Sequence, residues 1–133
     1  MMLLLLLSFS MSNIAQVTQA KQTGSKIINI RAQNFNAALQ QNKNAQLLDI
    51  RTQGEYQRGH LKNAILVNFY DPNFSKNIEK LYLDKSKPVF IYCRSGSRSG
   101  HAIKVFKKLR FKVVYNLVYG INEWYAQKLP LEN

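Results

Sequence analysis

The sequence predicts an α/β domain: a central, mostly parallel five-stranded sheet with helices on both faces. Three observations predict it. Five short runs rich in β-branched and apolar residues recur, at 27–30, 46–50, 64–68, 89–92 and 113–117. Amphipathic stretches separate or follow them, at 34–41, 53–58, 74–83, 100–109 and 121–127. At 133 residues the chain has room for one substantial core and is too short for two. No repeat and no Pro/Gly/Ser-rich linker divides it. Strands joined through helices need crossover connections, which pair strands in parallel and bury both faces of the sheet.

The fourth helix has the clearest pattern. Ala102, Val105, Phe106 and Leu109 fall at i, i+3, i+4 and i+7, with Lys104, Lys107 and Lys108 on the other face. The strand before it, Val89-Phe90-Ile91-Tyr92, stops at Cys93, the only cysteine in the chain. In sheets of this kind ligands gather beyond the carboxyl ends of the strands. A thiol between that strand and that helix therefore stands where chemistry is expected.

The first twenty residues read as a separate unit. "MMLLLLLSFSMSNIAQVTQA" has no charged residue, and its apolar run is shorter than the ~20 residues a membrane-spanning helix needs. It fits the apolar region of a secretory signal, and Thr18-Gln19-Ala20 places small residues at a cleavage site. The expectation is a signal peptide over 1–20, one domain over 21–133, and a periplasmic or secreted product. A start at Met11 would instead give a cytoplasmic one.

Lys and Arg number 19 against 7 Asp and Glu, a formal charge of +12, which favours anionic partners. From Arg94 to Lys112 there are seven basic residues and no acid. A nucleic-acid reader would interleave aromatics for stacking, but Phe106 falls on the core face of its helix and Phe111 just beyond it. The basic face is read instead as a field that draws small anions toward Cys93. Nothing in the pattern demands more than a monomer.

One cysteine excludes an intramolecular disulfide and a Cys-rich zinc site. Cys93 is then either a small buried hydrophobe or a reactive thiol, and an unpaired cysteine in an exported chain favours the second. The residues after it are suited to an anion. Arg94 and Arg98 add positive charge. Gly96, between Ser95 and Ser97, lets the backbone curl so that successive N–H groups point inward as a nest. A helix beginning near Ser99 directs its unpaired N–H groups at the same place. Such a cradle suits a thiolate, an anionic ligand or a charged sulfur adduct.

Two further stretches carry a family resemblance. "LLDIRTQGEYQRGHLKNAILVNF" holds Asp49, Arg51, Glu55-Tyr56, Gly59-His60-Leu61 and Ala64 in order, and "YGINEWYAQKLPLEN" closes the chain with Trp124 and Pro130. Together with the Cys93 loop these resemble the rhodanese family of sulfurtransferases, over roughly 26–131. The family usually has two glycines where this chain has Tyr119-Gly120, and often a glycine at Lys128. The resemblance implies a rhodanese-like fold, no cofactor or metal, and a persulfide on Cys93. Thiosulfate or a similar anion would be the donor, and cyanide or a thiol the acceptor. Backbone amides from Arg94 through Ser95, Gly96, Ser97, Arg98 and Ser99 would cradle the persulfide, with Arg98 attracting the donor and Arg94 assisting. A persulfide carrier that needs a partner is the alternative. Phosphatases and arsenate reductases on this fold use a loop with five residues between Cys and Arg; here four separate Cys93 from Arg98.

Other polar residues receive structural readings. Asp49 is expected to accept backbone N–H bonds and fix the next turn. Arg51 and Glu55, four apart, could pair on a helical turn. His60 would pack and hydrogen-bond, and His101 is not needed as a base once the cradle stabilises the thiolate.

Overall fold

The computed structural model describes residues 24–132; the expected leader and its cleavage point lie outside the described residues. The strands are β1 (Lys26–Ile30), β2 (Gln46–Asp49), β3 (Ile65–Leu66), β4 (Val89–Tyr92) and β5 (Val113–Leu117). The helices are α1 (Ala32–Gln41), α2 (Gln53–Gln57), α3 (Phe74–Glu79), α4 (Ser97–Lys108) and α5 (Gly120–Ala126). The sheet runs β1-β5-β4-β2-β3 and every pairing is parallel.

The pleat divides the core in two. Leu48, Ile50, Val89, Ile91, Cys93 and Val114 face α3 and α4, where Phe74, Ile78, Ala102 and Phe106 cover them. Leu47, Phe90, Tyr92 and Leu117 face the other way, against Phe35 of α1 and Ile121 and Trp124 of α5. All four residues of β4 are fully buried, as a central parallel strand requires. Phe35 meets Phe90 and Trp124 edge-on, at 5.4 and 6.3 Å.

Neighbouring strands β2 and β4 send their following helices to opposite faces. Tyr56 of α2 packs with the Tyr92 cluster, whereas Ala102 and Phe106 of α4 lie in the Ile91 cluster. Such a divergence opens a crevice at the carboxyl ends of the two strands. Asp49 and Tyr92 are register partners at its base.

Most elements lie within one or two residues of their expected spans, and three differ more. β3 is two residues long because the extended run continues along β2 through loop bonds, Val67 N–H to Asp49 O and Phe69 N–H to Ile50 O. α3 stops at Glu79, and Tyr82 turns the chain with φ +50°. α4 starts at Ser97 rather than residue 100, for a reason that lies in the loop itself.

The chain end is strapped down. His60 and Glu132 exchange backbone bonds of 2.7 Å, and the Trp124 indole donates to Pro130 O at 3.0 Å. Lys128, where related chains often carry glycine, sits at φ +53°, a conformation that costs an L-residue ~1–2 kcal/mol. Tyr119 has φ −108° and needs no glycine.

Candidate active site

Cys93 lies at the end of β4 with its sulfur fully buried, at the foot of a tight loop. Its Sγ accepts the N–H of Gly96 at 3.1 Å and of Ser99 at 3.4 Å, while the thiol donates to Ser99 Oγ at 3.5 Å. Ser99 Oγ in turn donates to Gly96 O. The cap residue of α4 is Gly96, which has no side chain to satisfy the first-turn amides. The sulfur does that work, which is why the helix can begin at Ser97. The helix dipole is thereby aimed at Sγ.

Two glycines lock the loop against the turn that leads into α5. Gly96 has φ +99°, and a Cβ there would meet Val118 O at 1.9 Å. Gly120 has φ +65°, and its Cβ would meet Arg94 O at 2.2 Å. Ile121 N–H bonds Cys93 O at 2.9 Å and Asn122 N–H bonds Arg94 O at 3.0 Å. The carbonyls of Cys93 and Arg94 are thus drawn outward to α5. Of the six amides from Arg94 to Ser99 expected to form a cradle, those of Gly96 and Ser99 bond Sγ.

The two arginines are placed differently. Arg98 binds Glu55 through both guanidinium arms, at 2.7 and 2.8 Å, and lies over the Tyr70 ring at 5.4 Å. Arg94 is exposed and forms no ion pair among the described residues. The hydrogen bonds from Arg98 hold the Glu55 carboxyl at about 2, well below its ordinary 4.5, against the opposing effect of partial burial. The same bonds hold Arg98 above its ordinary value. Glu55 also closes a capping box with Thr52 at the start of α2, so the five-residue helix and the loop share one carboxylate.

Glu55 does not pair with Arg51. That guanidinium is buried and meets Asp49 instead, at 2.7 Å from Nη2, with a further bond to Gly59 O. Burial works against its charge, but the Asp49 bonds outweigh burial and raise it above its ordinary value. Asp49 also accepts Arg51 N–H, which fixes the turn as expected, and the Tyr92 hydroxyl at 2.6 Å. Tyr92 OH completes the chain by accepting Leu61 N–H. Burial, with Asp49 alongside, pushes the Tyr92 phenol well up, so it remains a neutral donor. This network fixes the Gly59-His60-Leu61 segment to the sheet.

Neither histidine takes part in the Cys93 hydrogen bonds. His60 stacks on Tyr56 at 3.7 Å and donates from Nδ1 to Tyr56 O, and the exposed His101 bonds Ser97 O. The sequence reading missed Glu55 as the partner of Arg98. The signal available was Thr52-x-x-Glu55, a capping-box pattern that places Glu55 at the head of α2.

A buried cysteine whose sulfur caps a helix inside an amide-lined loop, at the switch point of a parallel sheet, defines a class of nucleophilic-thiol α/β proteins. The family model for the rhodanese-like domain matches residues 31–127, and the chain belongs to the rhodanese family, whose members include sulfurtransferases and sulfur carriers. YrkF of Bacillus subtilis, named a putative sulfur carrier protein, is 27% identical over 105 residues, covering 79% of this chain and 55% of YrkF. The thiosulfate sulfurtransferase GlpE of Coxiella burnetii is 32% identical over 80 residues, covering 60% and 71% of the two chains. The solution structure of a polysulfide-sulfur transferase homodimer from Wolinella succinogenes aligns with TM-score 0.67 and 26% identity, covering 80% of this chain and 78% of that one. The chain spans little more than half the length of YrkF and 62% of a second Bacillus subtilis relative.

Proposed function

We propose that this protein transfers sulfane sulfur from thiosulfate, or a similar anionic donor, to cyanide or a thiol through a persulfide on Cys93. The observation that carries this reading is the pair of amide bonds from Gly96 and Ser99 to the Cys93 sulfur. The Cys93 thiolate attacks the outer sulfur of thiosulfate; its S–S bond breaks and sulfite leaves with the electron pair. The product, Cys93–S–S⁻, carries one negative charge, which the inward N–H groups and the α4 dipole stabilise without reorganisation. Cyanide then attacks the outer sulfur, thiocyanate departs, and the electron pair returns to Cys93.

Arg94, exposed and without an ion pair among the described residues, takes the donor-attracting role expected of Arg98, whose guanidinium is engaged by Glu55. Arg98, held by Glu55, positions the loop. Four residues between Cys93 and Arg98 make a ring suited to one added sulfur atom, smaller than the loop of the phosphatases and arsenate reductases on this fold. The uncharged apolar stretch at 1–20 supports export, which N-terminal sequencing of the mature chain at Lys21 would test.

The test is intact mass after exposure to thiosulfate. The expected result is a gain of about one sulfur atom that cyanide removes with turnover, and no gain in Cys93→Ser. Absence of the gain in the native chain sinks the reading. A gain without turnover would place the protein with the carriers, the reading that the name of YrkF favours.

A further inference from the structure

Basic residues gather at the end of the molecule opposite the catalytic loop. Lys26 opens β1, Lys87 lies just before β4, Lys112 just before β5, and Lys108 closes α4. Backbone bonds join these segments edge to edge, from Lys26 N–H to Lys112 O at 2.8 Å and from Lys112 N–H to Lys85 O at 3.0 Å. Because the strands are parallel, all of them begin at this end, while Cys93 follows the far end of β4. The 12 residues of α4, about 18 Å of helix, run back from the catalytic loop to the basic pole. These cations therefore do not touch a donor held at Cys93.

Two acids stand among them. Glu79 is paired with Lys85 at 2.7 Å. Asp84 accepts the hydroxyl and the N–H of Ser86, and these bonds, with Lys87 and Lys112 alongside, keep its carboxyl below its ordinary value. Lys26, Lys87, Lys108, Arg110 and Lys112 are exposed and form no ion pair among the described residues. Tyr82 borders the group, lining a small hollow with Lys85 and Phe111. It is 92% exposed, has φ +50°, and belongs to neither core cluster. An L-residue adopts that conformation at a cost, and no buried contact of the ring offsets it.

Cations spread over one end of a sheet, with an exposed tyrosine at the edge, match a surface of many negative charges better than a single small anion. Tyrosine is enriched at the level of lipid headgroups, and each Lys or Arg close to an anionic bilayer adds to the hold. The path of the chain agrees. The fold is entered at this pole through Lys26, and the uncharged, apolar-rich stretch at 1–20 precedes it in sequence. A bilayer that takes up such a stretch meets this end of the domain. A nucleic acid would call for several stacking aromatics. Here Tyr82 stands alone, since the exposed Tyr70, Tyr119 and Tyr125 lie toward the catalytic loop.

We propose that the basic pole docks this domain on an anionic phospholipid bilayer, with the catalytic loop on the side away from the lipid.

The test is partitioning of the full chain onto sedimented vesicles of phosphatidylcholine, alone or mixed with phosphatidylglycerol. Residues 1–20 have no charged side chain, so their contribution is common to both and the ratio of the two partition coefficients reads the basic pole. The native ratio should be on the order of a hundredfold or more and should collapse at high salt. Lys87→Gln, Lys108→Gln and Lys112→Gln should each lower it about fivefold, and the triple variant more than about fiftyfold. Arg58→Gln removes one charge beside the catalytic loop and should change it less than about twofold. Tyr82→Asn should weaken binding several-fold while holding or raising stability, because Asn tolerates φ > 0 better. All of these side chains are exposed, so each lysine variant should unfold at the native temperature. Cys93→Ser should bind vesicles as the native chain does, which separates this outcome from the persulfide chemistry. Equal partitioning onto the two vesicle types, or a loss in Arg58→Gln as large as that in Lys112→Gln, would overturn the proposal. So would an RNA oligonucleotide that strips the protein from anionic vesicles at equal phosphate concentration through the same lysines, which would assign the pole to nucleic acid.

Discussion

At Gly96 the backbone has φ +99° and the Val118 carbonyl oxygen lies where a methyl group would go. The left-handed conformation alone costs an L-residue ~1–2 kcal/mol, and a 1.9 Å approach to backbone forces the loop to move as well. Gly96→Ala should therefore lower stability by at least ~2 kcal/mol in denaturant titration and reduce persulfide formation more than tenfold. Gly100→Ala provides the contrast. It has open space around it inside α4, so it should stabilise the fold by ~0.5–1 kcal/mol and leave the site intact. Tyr92 tests the buried network. Tyr92→Phe leaves Leu61 N–H without its acceptor and takes one donor from Asp49 Oδ2. Its expected cost is ~1–3 kcal/mol in thermal or denaturant unfolding, with cyanide turnover nearly unchanged because the Cys93 bonds are untouched.

An α2 of five residues is too short to persist on its own, and its stability comes from what its ends touch. Thr52 and Glu55 close the first turn, and the same Glu55 carboxylate holds Arg98 of α4, 43 positions away. Element and site are thus joined through one group. Its folded value of about 2 lies below its ordinary 4.5, so the pair contributes fully above about pH 4.5. That contribution declines as pH falls from there toward 2. Native protein should lose stability across this window more steeply than Glu55→Gln, which has no charge to lose. At neutral pH the same variant should lower kcat/KM for thiosulfate on the order of tenfold, since Arg98 no longer fixes the loop. Equal acid slopes in the two proteins would remove the pair from the account.

Over the whole molecule the charge of +12 sets a long-range field, and the site lies at the end of the central strand of the sheet. Anionic donors are drawn in by such a field, and salt screens it over about 8 Å at physiological ionic strength. Raising ionic strength should lower kcat/KM for thiosulfate several-fold, while transfer to neutral 2-mercaptoethanol stays nearly constant. A thiosulfate rate indifferent to salt would exclude steering. The described residues contain no helix long and apolar enough to cross a membrane.

Alternation of apolar runs with amphipathic stretches determined the strand count, the parallel pairing and the position of Cys93, because periodicity and crossover geometry are local properties of the chain. The Cys-Arg-Ser-Gly-Ser-Arg-Ser segment likewise marked Gly96 as the residue where the backbone curls, but not the helix start, which lies at Ser97 and earlier than the apolar spacing suggested. The partners of the charges were not legible. Arg51 and Glu55 look like a pair at i, i+4, yet Asp49 takes the first and Arg98 the second. The first is a local contact, two residues apart at the end of β2; the second only tertiary structure decided, because folding brings α2 to the head of α4. It also decided that Gly96 and Gly120 interlock across two loops. Contacts between residues distant in sequence depend on how elements stack, and no spacing along the chain encodes them.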